Sequence, residues 1–333
     1  MTVRIGIISF AHMHAYSYAA CLQQLAGEAE IAGIFDENAD RGRAASAQFE
    51  APFFDDCDRL LSADLAGVVI CTENAKHKDY TLRAAAAGKH VFCEKPISVS
   101  VPDAQAMIDA CSEQQVQLMI AFPCRFSSVL ARMKQIISSD TLGNILALKG
   151  TNRGTMPGGW FVDPALSGGG AVLDHTVHVV DVWRWMLKRE VVSVYAESGR
   201  LFYPDLAADD AGLLSLEWEG GIFSTLDTSW SRPNASFPTW GDVTMEIVGE
   251  RGTLAIDAFN QKIEIYNNPT VRTQWACWTD NLDLGLVQAF ITMIRDGGGS
   301  PVSGYDGLKA MEVALAAYRS VETGQPVSLP LSA

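Results

Sequence analysis

Basic residues are scarce in this 333-residue chain: 25 Lys and Arg stand against 39 Asp and Glu, a formal charge of −14. Such a surface repels nucleic acid and anionic membranes, so neither is expected as a partner. No apolar run approaches the roughly 20 residues that a membrane-spanning helix needs. The seven cysteines (Cys21, Cys57, Cys71, Cys93, Cys111, Cys124 and Cys277) are odd in number and form no Cys-x-x-Cys pair. They read as reduced thiols of a cytoplasmic protein, most of them small buried hydrophobes. The N-terminus enters a strand pattern at once, with no basic segment, apolar stretch and cleavage site, so no signal peptide is expected. Internal repeats, low-complexity tracts and long linkers are also missing. What remains is an ordinary globular composition, 48% hydrophobic and 19% charged, long enough for two domains.

Short apolar runs alternate with helical patterns over the first third. Strands are expected at Val3–Ile8, Glu30–Phe35, Gly67–Cys71, His90–Cys93 and Gln117–Ala121, and helices at Tyr16–Leu25, Ala39–Phe49 and His77–Ala87. A further helix opens at Ser100-Val-Pro-Asp103, a capping box with an early proline. This alternation implies a parallel, doubly wound α/β sheet. The pattern changes near Phe122. A helix at Ser128–Ser138, a strand near Ile145–Gly150 and a helix around Val172–Leu187 follow. Then come strands at Val191–Ser198, Ala211–Trp218, Gly221–Trp230, Asp242–Gly249, Gly252–Ile256 and Lys262–Tyr266, and a last helix around Gly307–Val321. The second half therefore reads as α+β on an open, mostly antiparallel sheet. The domains are expected at 1–122 and 123–333.

The turn after the first strand is where a dinucleotide fingerprint G-x-G-x-x-G belongs, yet its glycine positions hold Ser9, Ala11 and His14. The loop Ser9, Phe10, Ala11, His12, His14 can still set a pyrophosphate on a helix N-terminus. A plain parallel-sheet protein without nucleotide is the competing reading. Asp36 ends the second strand, 22 residues after His14, where an acid accepts the adenosine ribose hydroxyls. A carboxylate there favours NAD over NADP, although Asp36 could instead cap a helix, and Arg41 and Arg43 could meet a 2′-phosphate. His12 and His14 form a His-x-His. Solvation or a place in the nucleotide loop is preferred to metal binding, and no metal is expected.

Two segments carry a resemblance. Thr72-Glu-Asn74-Ala-Lys-His77 is followed by Gly88-Lys-His-Val-Phe-Cys-Glu94-Lys95-Pro96. Later come Trp160-Phe-Val-Asp163-Pro and Gly168-Gly-Gly-Ala-Val-Leu-Asp174-His175-Thr-Val-His178-Val-Val-Asp181. The chain resembles the glucose-fructose oxidoreductase/inositol 2-dehydrogenase (Gfo/Idh/MocA) family along essentially its whole length. The resemblance implies a Rossmann domain that binds NAD, with NADP second, and a C-terminal domain for substrate and for homodimer or homotetramer contacts. It implies a cofactor role for the loop Cys71, Thr72, Asn74 and His77 and for Glu94 and Lys95, and substrate contacts from Arg125, Trp160, Asp163 and His175. It also suggests a cis peptide before Pro96. Glu73 stands where the family pattern has proline, so the loop is expected to be less rigid.

The residues themselves say what chemistry is available. Lys95 follows a buried strand's C-terminal end and can donate to a substrate oxygen. Asp174 and His178, four apart, share a helix face, so the carboxylate can orient the imidazole as a general base. A surface salt bridge is the plainer reading of that pair. A metal held by Asp174, His175, His178 and Asp181 is disfavoured, because those side chains cannot all point one way from one helix. The glycines at 168–170 are expected to let backbone approach a ligand. The expected activity is hydride transfer between nicotinamide and a secondary alcohol or ketone of a sugar or polyol. The rivals are NAD-assisted elimination or glycoside cleavage with no net redox change, and a non-catalytic nucleotide-binding regulator.

Overall fold

The computed structural model describes residues 2–260, 262–266, 273–277 and 280–331, with backbone alone for the two short segments. The chain forms two compact units, Met1–Pro123 with Asn281–Leu308 and Cys124–Asp280 with Lys309–Ala333.

The first unit holds β1 (Val3–Ile8), α1 (His14–Gln24), β2 (Ala29–Phe35), α2 (Ala39–Phe49), β3 (Phe53–Phe54), α3 (Cys57–Leu61), β4 (Gly67–Ile70), α4 (His77–Ala86), β5 (His90–Cys93), α5 (Val101–Glu113) and β6 (Leu118–Ile120). The strands lie in the order β3-β2-β1-β4-β5-β6 and all pair in parallel. β4 and β6 are buried at every residue, as a sheet covered on both faces requires. The order reverses between β1 and β4, so a crevice opens at their C-terminal ends, where ligands of such sheets bind. The capping box works as expected: the Ser100 hydroxyl accepts from the Asp103 amide, with proline in the first turn of α5.

The second unit contains α6 (Ser128–Ser138), β7 (Ile145–Thr155), α7 (Pro164–Ser167), α8 (Ala171–Leu187), β8 (Val191–Gly199), β9 (Ala211–Trp218), β10 (Phe223–Arg232), β11 (Gly241–Gly249), β12 (Gly252–Asp257) and the pair β13 (Lys262–Tyr266) and β14 (Thr273–Cys277). Further along the chain are α9 (Leu282–Asp296), which belongs to the first unit, α10 (Gly304–Thr323) and β15 (Val327–Ser328). The seven-stranded sheet runs β12-β11-β7-β10-β9-β8-β15; only the β7–β10 pairing is parallel.

Helix α8 lies against β7, β9 and β10 and is buried at every position from His175 to Arg184. Glycines in the sheet admit it. A Cβ on Gly150 would meet Trp183 at 2.6 Å, and one on Gly212 would meet Val172 at 2.4 Å. Trp183 packs edge-on against Trp218, centroids 6.1 Å apart, which adds about 1 kcal/mol beyond area burial. The other sheet face alternates outward and exposes Leu213 and Phe223.

Several elements depart from expectation. No element is expected between Tyr266 and Gly307, yet β14 and α9 lie there, and Phe290 of α9 packs on Phe92. β7 runs five residues past Gly150, to Thr155. β3 and α3 are too short to show a period. The six described cysteines are buried and form no disulfide with one another; the Cys277 side chain lies outside the described residues.

Candidate active site

The loop after β1 keeps the fingerprint's shape without its glycines. Ser9, at the first glycine's place, adopts φ +72°, the left-handed conformation of the tight turn. Its backbone therefore fits a dinucleotide loop. Its amides, however, are bonded internally. Phe10 N donates to Asp36 Oδ2 at 2.7 Å, Ala11 N to Ser9 Oγ at 3.1 Å, His12 N to the Cys71 carbonyl at 2.9 Å and His14 N to His12 Nδ1 at 3.2 Å.

Asp36 sits at the end of β2 as expected, but its carboxylate is fully buried and already engaged. Arg41 binds it with two hydrogen bonds, Nε to Oδ2 at 2.8 Å and Nη2 to Oδ1 at 2.7 Å, and Asn38 N donates to Oδ1 at 2.8 Å. Asn38, not Asp36, caps α2. A ribose hydroxyl can reach this carboxylate only if Arg41 swings away. Both residues were expected at the nucleotide, but not this pairing, because proximity five residues apart across a strand–helix junction has no sequence period.

Glu94, at the C-terminal end of β5, gathers a second group of polar side chains in this unit. Tyr18 Oη donates to Oε1 at 2.5 Å, His14 Nδ1 lies 2.9 Å from Oε1, and the Lys95 amide donates to Oε2 at 2.9 Å. Burial opposes the charge on Glu94, but His12, His14 and Lys95 together hold its carboxyl well below the usual range. Burial would likewise depress His14, yet Glu94 outweighs it and raises that imidazole. Burial, reinforced by Glu94, pushes the Tyr18 phenol well up. Lys95 is only 4% exposed, and the Lys95–Pro96 peptide is cis, in line with the resemblance.

His12, His14 and Glu94 bring three ligand-type atoms within 4.8 Å of one another. The His14 amide donates to His12 Nδ1, so that atom is an acceptor and the ring's proton sits on Nε2, the atom facing Glu94, whenever the ring is uncharged. A metal would need a lone pair on that atom, which this hydrogen-bond arrangement does not offer. His77 is fully buried, and burial lowers its pKa. As a neutral ring it donates Nδ1–H to the Pro96 carbonyl at 2.9 Å, so it supports the turn that carries Lys95. Cys71 and Thr72 are buried at the end of β4, and Asn74 is buried in the turn that leads into α4.

In the second unit, α8 carries Asp174, His175 and His178. Asp174 Oδ2 lies 3.4 Å from His175 Nε2 and accepts from Trp230 Nε1 at 3.4 Å. Adjacent helix residues diverge by about 100°, so spacing alone does not predict the His175 contact. His178 is buried on the same helix. Arg125 pairs with buried Asp181 through bonds of 2.8 and 2.5 Å. Asp163 is exposed and caps α7, accepting from the Ala165 amide at 3.0 Å, and Trp160 stacks on Phe161 with centroids 3.9 Å apart.

Gly169 and Gly170, just before α8, are required by packing. A Cβ on Gly170 would lie 1.9 Å from the Asp209 carbonyl oxygen, and one on Gly169 would lie 2.3 Å from the Tyr318 hydroxyl. Asp209 accepts from the Gly170 and Val172 amides at 3.0 and 2.8 Å and from Tyr318 Oη at 2.8 Å. Sequence reasoning missed Tyr18, Asp209 and Tyr318. Each lies more than 30 residues from a partner, with no motif to join them.

Residues 3–122 match the family model described as oxidoreductase family, NAD-binding Rossmann fold, and residues 130–255 match the GFO/IDH/MocA C-terminal domain. The chain is 31% identical to the inositol 2-dehydrogenase of Rhizobium meliloti (strain 1021) over 281 residues, covering 80% of this chain and 82% of that protein. It is 26% identical to the myo-inositol 2-dehydrogenase of Thermotoga maritima, covering 98% of each. The crystal structure of GenD2 from gentamicin A biosynthesis, in complex with NAD, superposes with a TM-score of 0.88 at 23% identity, covering 99% of this chain and 97% of that one. With a nucleotide-binding half, a C-terminal half and a relative above 30% identity all in agreement, the chain belongs to the Gfo/Idh/MocA family and is an NAD-binding oxidoreductase.

Proposed function

We propose that this chain interconverts a secondary alcohol and a ketone on a sugar, polyol or sugar derivative. The observation that carries the reading is Lys95, a lysine 4% exposed at the C-terminal end of β5, beside an ionised and fully bonded Glu94. A buried ammonium is costly to keep, and a passive nucleotide sensor has no use for one. The relatives named as inositol 2-dehydrogenases support a polyol as the substrate class.

NAD, when bound, supplies the nicotinamide that accepts or returns the carbon-bound hydride. Lys95 donates to the substrate oxygen and offsets the negative charge that develops there; away from bulk water that interaction is strengthened. His178 takes the hydroxyl proton, and Asp174 stabilises the charged helix face. Trp160, Asp163 and His175 are the candidate substrate contacts. Arg125, tied to Asp181, is assigned to holding α8. On the cofactor side stand Ser9, Phe10, Ala11, His12, His14, Asp36, Arg41, Cys71, Thr72, Asn74, His77 and Glu94. The outward sheet face bearing Leu213 and Phe223 supports a homodimer or homotetramer.

A general base works only when deprotonated, so the rate falls on the acidic side as His178 takes a proton. His178→Ala is expected to lower turnover and to remove that acidic limb from the pH–rate profile. A variant that keeps the full limb assigns the proton to another group.

A further inference from the structure

Pyrophosphates on helix N-termini are ordinarily held by backbone amides freed by glycine. Here the amides of Phe10, Ala11, His12 and His14 are taken by Asp36, Ser9, the Cys71 carbonyl and His12. Residues that stand in for or flank the missing glycines thus quench the donors that glycine would leave open. The third glycine position itself holds His14, the first residue of α1. Its Nδ1 faces Glu94, no bond to its Nε2 occurs among the described residues, and its side chain is 34% exposed. We propose that the His14 side chain replaces the loop amides as the principal group holding the pyrophosphate of the dinucleotide in this chain. The proposal rests on the chain binding NAD as its family does.

The surrounding charges are consistent with that role. Glu94 faces His14 from the end of β5, with Lys95 beside it, Asp283 in the first turn of α9, and His12 and Tyr18 close by. The net effect raises the His14 pKa, which favours the cationic ring, a charge-assisted donor at Nε2. Glu94 stays ionised beside it and fixes the ring through Nδ1. Because the pKa is raised, the cation is complete well below the raised value and is lost as pH climbs through it. Pyrophosphate affinity should fall over that window.

The test is calorimetric titration of the full chain with ADP-ribose, which carries the pyrophosphate, and with adenosine, which does not. Wild type is expected to bind ADP-ribose about tenfold or more tightly at about pH 6 than at about pH 9. His14→Gln should bind it about tenfold more weakly at the lower pH and lose most of the pH dependence. His14→Arg, charged throughout, should keep tight binding at both pH values. Adenosine affinity should be alike in all three proteins, which also shows that the variants are folded. His12 is common to all three, so the differences isolate His14. A wild-type affinity indifferent to pH, a Gln variant that binds as wild type does, or an Arg variant as weak as Gln would overturn the proposal. Failure of wild type to bind ADP-ribose at all would overturn NAD binding with it, a different and recognisable result.

Discussion

Lys95→Met is expected to leave the fold and NAD affinity close to wild type while lowering turnover by about 100-fold or more. Methionine keeps an unbranched apolar chain of similar length, so the 4%-exposed site stays filled. What disappears is the ammonium. The bonds that organise the turn survive, because Glu94 is held by Tyr18, by His14 and by the backbone amide of residue 95, none of which needs the lysine side chain. Initial rates read the chemistry, and calorimetry with NAD reads the cofactor. Turnover within a few-fold of wild type removes Lys95 from the mechanism. A loss of NAD affinity matching the loss of rate assigns the residue to the cofactor instead.

Gly170→Ala should be among the most damaging single methyl additions the chain can receive. The new Cβ would stand 1.9 Å from the Asp209 carbonyl oxygen and 2.7 Å from its nitrogen, both backbone atoms that cannot rotate aside. Moving Asp209 breaks its bonds to the Gly170 and Val172 amides and to Tyr318, which together tie down the start of α8. Overpacking and a lost cap combine to about 3 kcal/mol or more of destabilisation. A denaturant midpoint measured on the pure variant reads this directly. A midpoint unchanged from wild type means that the 208–210 segment yields freely and that the cap contributes little. Because α8 carries Asp174, His175 and His178, the same substitution should also depress activity at temperatures where the variant stays folded.

Much of this architecture was legible because the relevant signals are local. Buried parallel strands read as short apolar runs, and the helix at Ser128–Ser138 and the strand at Ala211–Trp218 fall where their periods put them. The Ser100 cap needs only four residues to announce itself. Helix α9 was not legible: its interior Gly285 and its apolar residues on several faces blur the 3.6-residue period. The candidate site divides in the same way. Lys95, Asp174 and His178 stand in compact motifs, whereas the Arg41 grip on Asp36 and the Tyr18 bond to Glu94 are made by tertiary packing. The glycines at 169 and 170 show the limit of motif reading. Their motif invites a ligand, but their space is filled by Tyr318 and Asp209, far away in sequence.

Net redox change is what separates this account from its rivals on the same scaffold. Incubating the full chain with NAD and each of a panel of inositols, sugars and sugar acids, and following the reduced nicotinamide spectroscopically, tests it most directly. The account predicts NADH accumulating in proportion to a ketone product for at least one polyol or sugar, and accumulation slowed about 100-fold or more with the Lys95→Met variant. Conversion of a substrate with NADH never accumulating would contradict it, since an elimination or glycoside cleavage returns the hydride it borrows.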